Sequence, residues 1–349
     1  MAFDDGRADV PGLQARGVTV RATAQPAGRL ARLRGALRTR SAYAGRAWSP
    51  ALWDLVGASS GLDIDLLLVA ATQMAPYAPA AQGRMRLLDM QNVESALVRG
   101  HGGTRGAIQR PAYRLEAMAL RRWENWIGRT FDAVSVVSDA DRQRLPPAAS
   151  RVLVCPNGWD TARPLPPSDE PVAAFVALLS WAPNVEAARW IATEVWPRVR
   201  AARPDARLLL VGRDPHAAVR AFAGNGVEVS GTVADVRPWL ARSVLGLAPL
   251  RSGGGSRLKI LESLDAGRPV VATSVGAEGL EDLIGRGIVV ADQPEDFAAE
   301  VVSFLDDRAR ARLVGLEGHR AVAAEFSWDS TLAPLFAWID SALGRGPGR

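Results

Sequence analysis

The feature that most constrains this chain is a regular alternation of short apolar runs with helix-length segments. Residues 17–23, 64–70, 86–89, 133–138 and 152–155 are brief runs rich in β-branched residues or leucine. A second series follows at 172–179, 207–212, 227–230, 244–249, 269–273 and 288–291. The spacers read as helices. In residues 184–200, Val185, Ala188, Ile191, Val195 and Val199 recur near a period of 3.6, and residues 110–130 form an Arg-rich amphipathic stretch. Such alternation predicts parallel sheets covered by helices on both faces. With 349 residues the chain exceeds one typical core, so two α/β, Rossmann-like domains with a cleft between them are expected. Pro156-Asn157-Gly158-Trp159-Asp160 opens a Pro-rich join. The predicted division is 1–158, a linker at 159–171, 172–330, and a C-terminal helix and tail at 331–349.

One residue dominates the search for a site. Lys259 is the only lysine, against 41 arginines among 42 basic residues. Where arginine serves nearly everywhere, a surviving ammonium marks a place that a broad planar guanidinium does not suit, such as a tight polyanion site. Lys259 follows Gly253-Gly254-Gly255-Ser256-Arg257-Leu258 and opens an apolar, helix-like run, directly after the strand-like residues 244–249. Glycines let the backbone approach a ligand, the helix N-terminus favours anions, and open α/β sheets bind ligands beyond the carboxyl ends of their strands. Phosphate is the natural guest. Lys259 and Glu262 stand three apart on one helix face, where they either hold the phosphates and ribose of one nucleotide or form a surface ion pair.

Composition removes several classes. No stretch approaches the roughly 20 apolar residues of a membrane span, and the acidic start Met-Ala-Phe-Asp-Asp is unlike a signal peptide, so a cytoplasmic protein is expected. One cysteine, Cys155, and three scattered histidines predict neither a disulfide nor a bound metal. Charge is uneven. Residues 1–150 hold 20 Arg and 13 acids, net +7, while residues 151–349 hold 22 basic and 24 acidic residues, net −2. Much of the excess is Arg29, Arg32, Arg34, Arg38, Arg40 and Arg46, interleaved with Leu30, Leu33, Leu37, Tyr43 and Trp48. This segment is a solvated helix face, a contact with an anionic membrane, or a nucleic-acid surface. The last reading lacks a recognised motif, and no nucleic acid is expected as partner.

A family resemblance rests on motifs in order. They are Val154-Cys155-Pro156-Asn157-Gly158-Trp159-Asp160, Trp181-Ala182-Pro183-Asn184, Leu210-Val211-Gly212, Val229-Ser230-Gly231-Thr232-Val233-Ala234-Asp235, Ala248-Pro249-Leu250, Lys259-Ile260-Leu261-Glu262-Ser263, Gly267-Arg268-Pro269-Val270-Val271-Ala272-Thr273 and Gly276-Ala277-Glu278-Gly279-Leu280. Asp89-Met90-Gln91-Asn92-Val93-Glu94-Ser95 and Val136-Val137-Ser138-Asp139-Ala140-Asp141-Arg142 add to them. Residues 85–345 resemble group 1 (family 4) retaining glycosyltransferases of the GT-B fold, especially bacterial exopolysaccharide-type sugar transferases.

The resemblance implies a nucleotide-diphosphate sugar as donor substrate, no further cofactor, and transfer to a lipid-linked or polysaccharide acceptor with retention. Lys259 would then hold the diphosphate with Arg257 as a second cation, and Glu262 would take the ribose hydroxyls. The amides around Gly253, Gly254, Gly255 and Ser256 would approach the phosphates or sugar. Val233 and its neighbours would line the base site, and Gly212 ends a strand facing it. Two departures from the family pattern are visible. Gly254 stands where the family carries the first of two glutamates, leaving a backbone-amide site or an inactive, nucleotide-binding protein as alternatives. The first strand and its glycine turn are absent ahead of residues 9–22, which predicts unpaired neighbours in the N-terminal sheet; either the start lies further upstream or the domain is degenerate.

Overall fold

The computed structural model of the chain describes residues 2–4, 10–26, 28–59, 61–103, 109–148, 151–254 and 257–344. They form two compact units: residues 1–155 with 334–349, and residues 156–333. The boundary falls at Pro156, ahead of the expected linker. Residues 159–165 are tied to the rest of the second unit by hydrogen bonds, three of them from their own backbone amides. The Trp159 amide donates to the Phe326 carbonyl (2.7 Å), that of Leu165 to Ala266 (3.1 Å), and that of Ala162 to the Asp265 carboxylate (2.9 Å).

In the N-terminal unit β1 (Ala2–Asp4) pairs in parallel with β2 (Ala22–Ala24), separated from it by the helix Val10–Ala15. This corrects the expectation that the segment 17–23 lacks a preceding strand. Three residues are too short to show an apolar run, so the strand is invisible in the sequence. The pair stands apart from a four-stranded parallel sheet of β3 (Leu66–Ala70), β4 (Met85–Met90), β5 (Ala133–Val136) and β6 (Val152–Val154), in that order. One face of this sheet packs Leu88, Met90, Val134 and Val136 against Ile127 of the helix Arg110–Thr130. The other face offers Met85, Leu87 and Ala133, and Trp338 near the end of the chain covers them. The expected C-terminal tail from 331 therefore returns to the N-terminal sheet, because that apolar face needs a cover.

The helix Arg29–Thr39 is fixed by a backbone contact: a Cβ on Gly35 would stand 1.9 Å from the Gly45 carbonyl oxygen. Its Arg38 guanidinium lies over Trp48 and Trp53, 4.1 and 4.4 Å from their centroids, and Trp48 stacks on Tyr77. Trp48 is thus core and not part of an exposed basic stripe.

The C-terminal unit is a parallel sheet of β7 (Val172–Val176), β8 (Arg207–Val211), β9 (Val227–Val229), β10 (Leu245–Ala248), β11 (Val270–Ala272) and β12 (Ile288–Val290), ordered β12-β11-β10-β7-β8-β9. This is the doubly wound Rossmann order, with its switch point between β7 and β10. Both faces are covered, as the continuous apolar runs predict. Ala173, Phe175, Leu208 and Leu210 enter one core cluster, and Val172, Ala174, Val176, Leu209 and Val211 the other. The helix expected over 184–200 is one run with a π turn at Ile191–Val195 between Ala182–Trp190 and Trp196–Ala202. Pro197 has no N–H to give and crowds the preceding turn, which is where such a bulge relieves a helix.

Candidate active site

The site grows from the switch point. β10 runs into the loop that precedes the helix Leu258–Asp265, and this helix buries Ile260, Leu261 and Leu264 in the core. It lies close on β10: a Cβ on Gly246 would stand 2.5 Å from Ser263 Oγ. That seat turns Lys259 and Glu262 toward a cavity of about 510 Å3 at the carboxyl ends of the strands. Gly212 after β8, Val233 after β9 and Gly254 after β10 line the same cavity, together with Arg257. The sequence-predicted residues are therefore brought together, with three exceptions. Gly253 flanks the lining, and Gly255 and Ser256 lie outside the described residues.

Lys259 does not pair with Glu262. Its Nζ donates to Asn184 Oδ1 at 2.8 Å and lies 5.2 Å from the centroid of the Phe175 ring. Asn184, only 3% exposed, donates in turn to the Leu178 carbonyl beyond β7 (2.9 Å), so the ammonium is held to the strand end across the switch point. Burial, and then the Arg257 charge, push the Lys259 ammonium down from 10.5 to about 7. Near pH 7 the amine is therefore poised between its charged and neutral forms.

Arg257 is 3% exposed, turns its guanidinium onto backbone carbonyls of its own loop and of the segment after β11, and has Glu278 4.0 Å away. Nη1 donates to the Gly254 carbonyl (3.2 Å), and Nη2 to those of Val275 (2.8 Å) and Gly253 (3.4 Å). Its first effect is to set the loop, where Gly253 holds φ +116° beside Trp181. Its second is the positive field that burdens Lys259. Glu262 is raised from 4.5 to about 7 by burial and by Asp235 and Asp265, against the pull of Arg237. Asp265 is itself clamped by Arg237 at 3.0 Å. Gly212, at φ +146°, tolerates no side chain: a Cβ would stand 1.8 Å from the Ala177 carbonyl oxygen.

Sequence reasoning missed Asn184 as a partner of Lys259, although the motif Trp181-Ala182-Pro183-Asn184 ends there. It also missed a cavity of about 960 Å3 in the N-terminal unit, lined by Tyr43, Arg46, Gln73 and Glu116 and by Ala71 just beyond β3. Behind it lies Glu94, 4% exposed and raised to about 7 chiefly by burial. Among the described residues no group of three His, Cys, Asp or Glu side chains is arranged to hold a metal.

Comparison with known proteins bears on the second unit most directly. Residues 170–307 match the family described as Glycosyl transferases group 1. Over 146 residues, 38% of each chain, the sequence is 32% identical to a GDP-mannose-dependent monoacylated alpha-(1-6)-phosphatidylinositol monomannoside mannosyltransferase of Corynebacterium glutamicum. Over 162 residues, 44% of this chain and 40% of the relative, it is 28% identical to a phosphatidyl-myo-inositol mannosyltransferase of Propionibacterium freudenreichii. The matches thus span about two fifths of these curated relatives. Among solved structures, HepE of Anabaena in complex with UDP-glucose superposes with a TM-score of 0.65 at 16% identity, over 95% of this chain and 88% of that one. The sucrose-phosphate synthase of Thermosynechococcus elongatus gives 0.61 at 19%, over 86% and 82%. The fold is GT-B. These likenesses extend over both units, whereas the sequence match to the family is confined to the second.

Proposed function

We propose that the chain is a retaining glycosyltransferase that takes a nucleotide-diphosphate sugar into the cavity of the C-terminal unit and passes the sugar to a glycan or lipid-linked acceptor. The observation that carries this reading is the placement of the only lysine, held near neutrality, beside a half-buried carboxyl in a cavity at the switch point of a Rossmann sheet. A diphosphate entering there brings the counter-charge that Lys259 lacks and raises its proton affinity. As the sugar departs, the ammonium stabilises the charge that builds on the leaving diphosphate. Arg257 adds field from behind the loop, Glu262 accepts ribose hydroxyls, and Val233 and Gly212 border the base. Amides of the glycine loop take the place of the family's first glutamate at Gly254. One relative named above is GDP-mannose-dependent and one neighbour was solved with UDP-glucose, which supports a GDP- or UDP-sugar as the donor.

The acceptor occupies the cavity beside Tyr43, Gln73 and Arg46 in the N-terminal unit. Leu30, Leu33 and Leu37 are exposed by 73, 57 and 71% on the helix Arg29–Thr39, amid Arg29, Arg32 and Arg34. An apolar stripe rimmed by arginines suits the surface of an anionic membrane, and the inner face of the cell membrane is the proposed location. No helix of the described residues is long and apolar enough to cross it.

The test is transfer and hydrolysis of labelled GDP- and UDP-sugars, with donor binding followed by calorimetry. Lys259→Ala should lower turnover by about 10²-fold or more, the scale for removing a preorganised charge. Lys259→Arg should also be poor, because a fork replaces a point charge. Donor binding without turnover would favour the inactive, nucleotide-binding reading that Gly254 suggests. Binding unaffected by Lys259→Ala would refute the site.

A further inference from the structure

A second cavity lies at the opposite end of the C-terminal sheet. Val244 directly precedes β10, and Gly267 and Arg268 precede β11, so this cavity stands at the amino ends of strands whose carboxyl ends face the donor cavity. It holds about 230 Å3 between residues 164–168 and the helix Arg308–Glu325. Three arginines line it, Arg268, Arg308 and Arg312, and no acid does.

None of the three is neutralised among the described residues. Arg268 is 3% exposed; Nε donates to the Leu240 carbonyl (3.0 Å) and Nη2 to those of Pro166 and Ala241, which leaves Nη1 uncommitted. Burial pulls it down to about 10, so it is still a cation at neutral pH. Arg308 Nη1 is buried with no hydrogen-bonding partner, while Nη2 reaches only the Asp169 carbonyl at 3.4 Å. Burial and the Arg203 charge lower Arg308; Asp169, Asp205 and Asp306 oppose them from outside the cavity. Two of those acids, Asp205 and Asp306, are already bonded to Arg203. Arg312 follows Arg308 by one helical turn, a like-charge spacing that disfavours the helix. Arg310, on the same helix, is by contrast paired with Glu300 at 3.2 Å.

A buried guanidinium donor without an acceptor is costly, and an oxyanion presented to the guanidinium fork relieves it through strong charge-assisted bonds. The volume falls below the roughly 300–1,000 Å3 of drug-sized ligand pockets. The guest is smaller than a nucleotide. We infer that Arg268, Arg308 and Arg312 form a site for a phosphate-sized oxyanion, either inorganic phosphate or the terminal group of a phosphomonoester, separate from the donor cavity. Its occupant would tie residues 164–168 to the helix Arg308–Glu325 and to the entry of β11.

The experiment titrates inorganic phosphate, and separately glycerol phosphate, into the full chain, read by calorimetry and thermal unfolding. Three proteins are compared: wild type, Lys259→Ala, and the double variant Arg308→Gln/Arg312→Gln. Saturable binding that survives Lys259→Ala and weakens at least ten-fold in the double variant supports the site. A response to phosphate alone assigns a free ion, and a response to both assigns an ester. Should the double variant fail to fold, Arg312→Glu, at an exposed position, replaces it with the same expectation. Absence of saturable binding, equal binding in the variants, or loss on Lys259→Ala, which would put the phosphate in the donor cavity, overturns the inference.

Discussion

Replacing Lys259 by methionine should make the free protein more stable in mild acid while destroying the proposed donor site. The ammonium is pushed from 10.5 to about 7, first by burial and then by Arg257. Between about pH 7 and 10.5 the unfolded chain keeps a proton that the folded chain has released, so this group makes stability rise with pH across that window. The drop, at about 1.36 kcal/mol per pH unit, is on the order of 5 kcal/mol, borne in full below pH 7. Lys259→Met removes it. The substitution also strips Asn184 Oδ1 of its donor, a loss of about 1–3 kcal/mol for a buried acceptor. Urea unfolding at pH 6 should therefore show the variant about 2 kcal/mol or more above wild type. By pH 10 the gain should vanish or reverse. Calorimetry in buffers of different ionisation enthalpy adds a second readout: near pH 8, binding of a nucleoside diphosphate should draw a proton into wild type and fail in the variant. A variant destabilised equally at pH 6 and pH 10 would mean that Lys259 carries no buried charge, and the argument from its surroundings would be refuted.

Glu262, raised to about 7, works in the opposite sense: between 4.5 and 7 the folded state holds a proton the unfolded state has lost, so stability falls as pH rises. Glu262→Gln should flatten that limb, leaving the share of Glu94 and of Glu124 on the helix Arg110–Thr130, whose carboxyl burial also raises; it should also raise the dissociation constant of the donor about ten-fold by losing a charge-assisted bond to ribose, as pH-dependent unfolding and calorimetry would show. Gly212→Ala drives a methyl into the Ala177 carbonyl at a backbone angle that disfavours side chains, and should cost about 2–4 kcal/mol in urea unfolding. Arg29, Arg32 and Arg34 changed together to Gln should weaken flotation with anionic vesicles by about 1 kcal/mol per charge. Wild-type flotation should fade as salt shortens the screening length from roughly 10 to roughly 3 Å, and equal flotation of both proteins would reduce the helix to a solvated face.

What could be read from the sequence follows from how each element is stabilised. β7 is buried throughout and β8 from Leu208 to Val211, so these positions are all apolar and the runs at 172–179 and 207–212 stand out without any contact being known. β1 gives no such signal, because a three-residue strand has too few side chains to make a pattern. The closing of the N-terminal sheet by Trp338 is equally hidden, since Met85 and Leu87 do not say which distant segment covers them. Lys259 was legible for a different reason: its rarity is a property of the whole chain and needs no partner.

The meaning of that rarity is nonetheless tertiary. An ammonium at the second position of a short helix is, by spacing alone, as good a surface ion pair with Glu262 as a ligand for phosphate. Asn184, 75 residues away, rules out the ion pair by accepting its hydrogen bond near the end of β7, which leaves the phosphate ligand as the reading we propose. Arg257 settles the electrostatics, because a second cation turned inward onto loop carbonyls can burden Lys259 without neutralising it. A helix N-terminus, a glycine loop and a cation are common neighbours in any α/β protein. A cation left short of counter-charge at a switch point is not, and it is this shortage, invisible in any local window of sequence, that supports the anion site we propose.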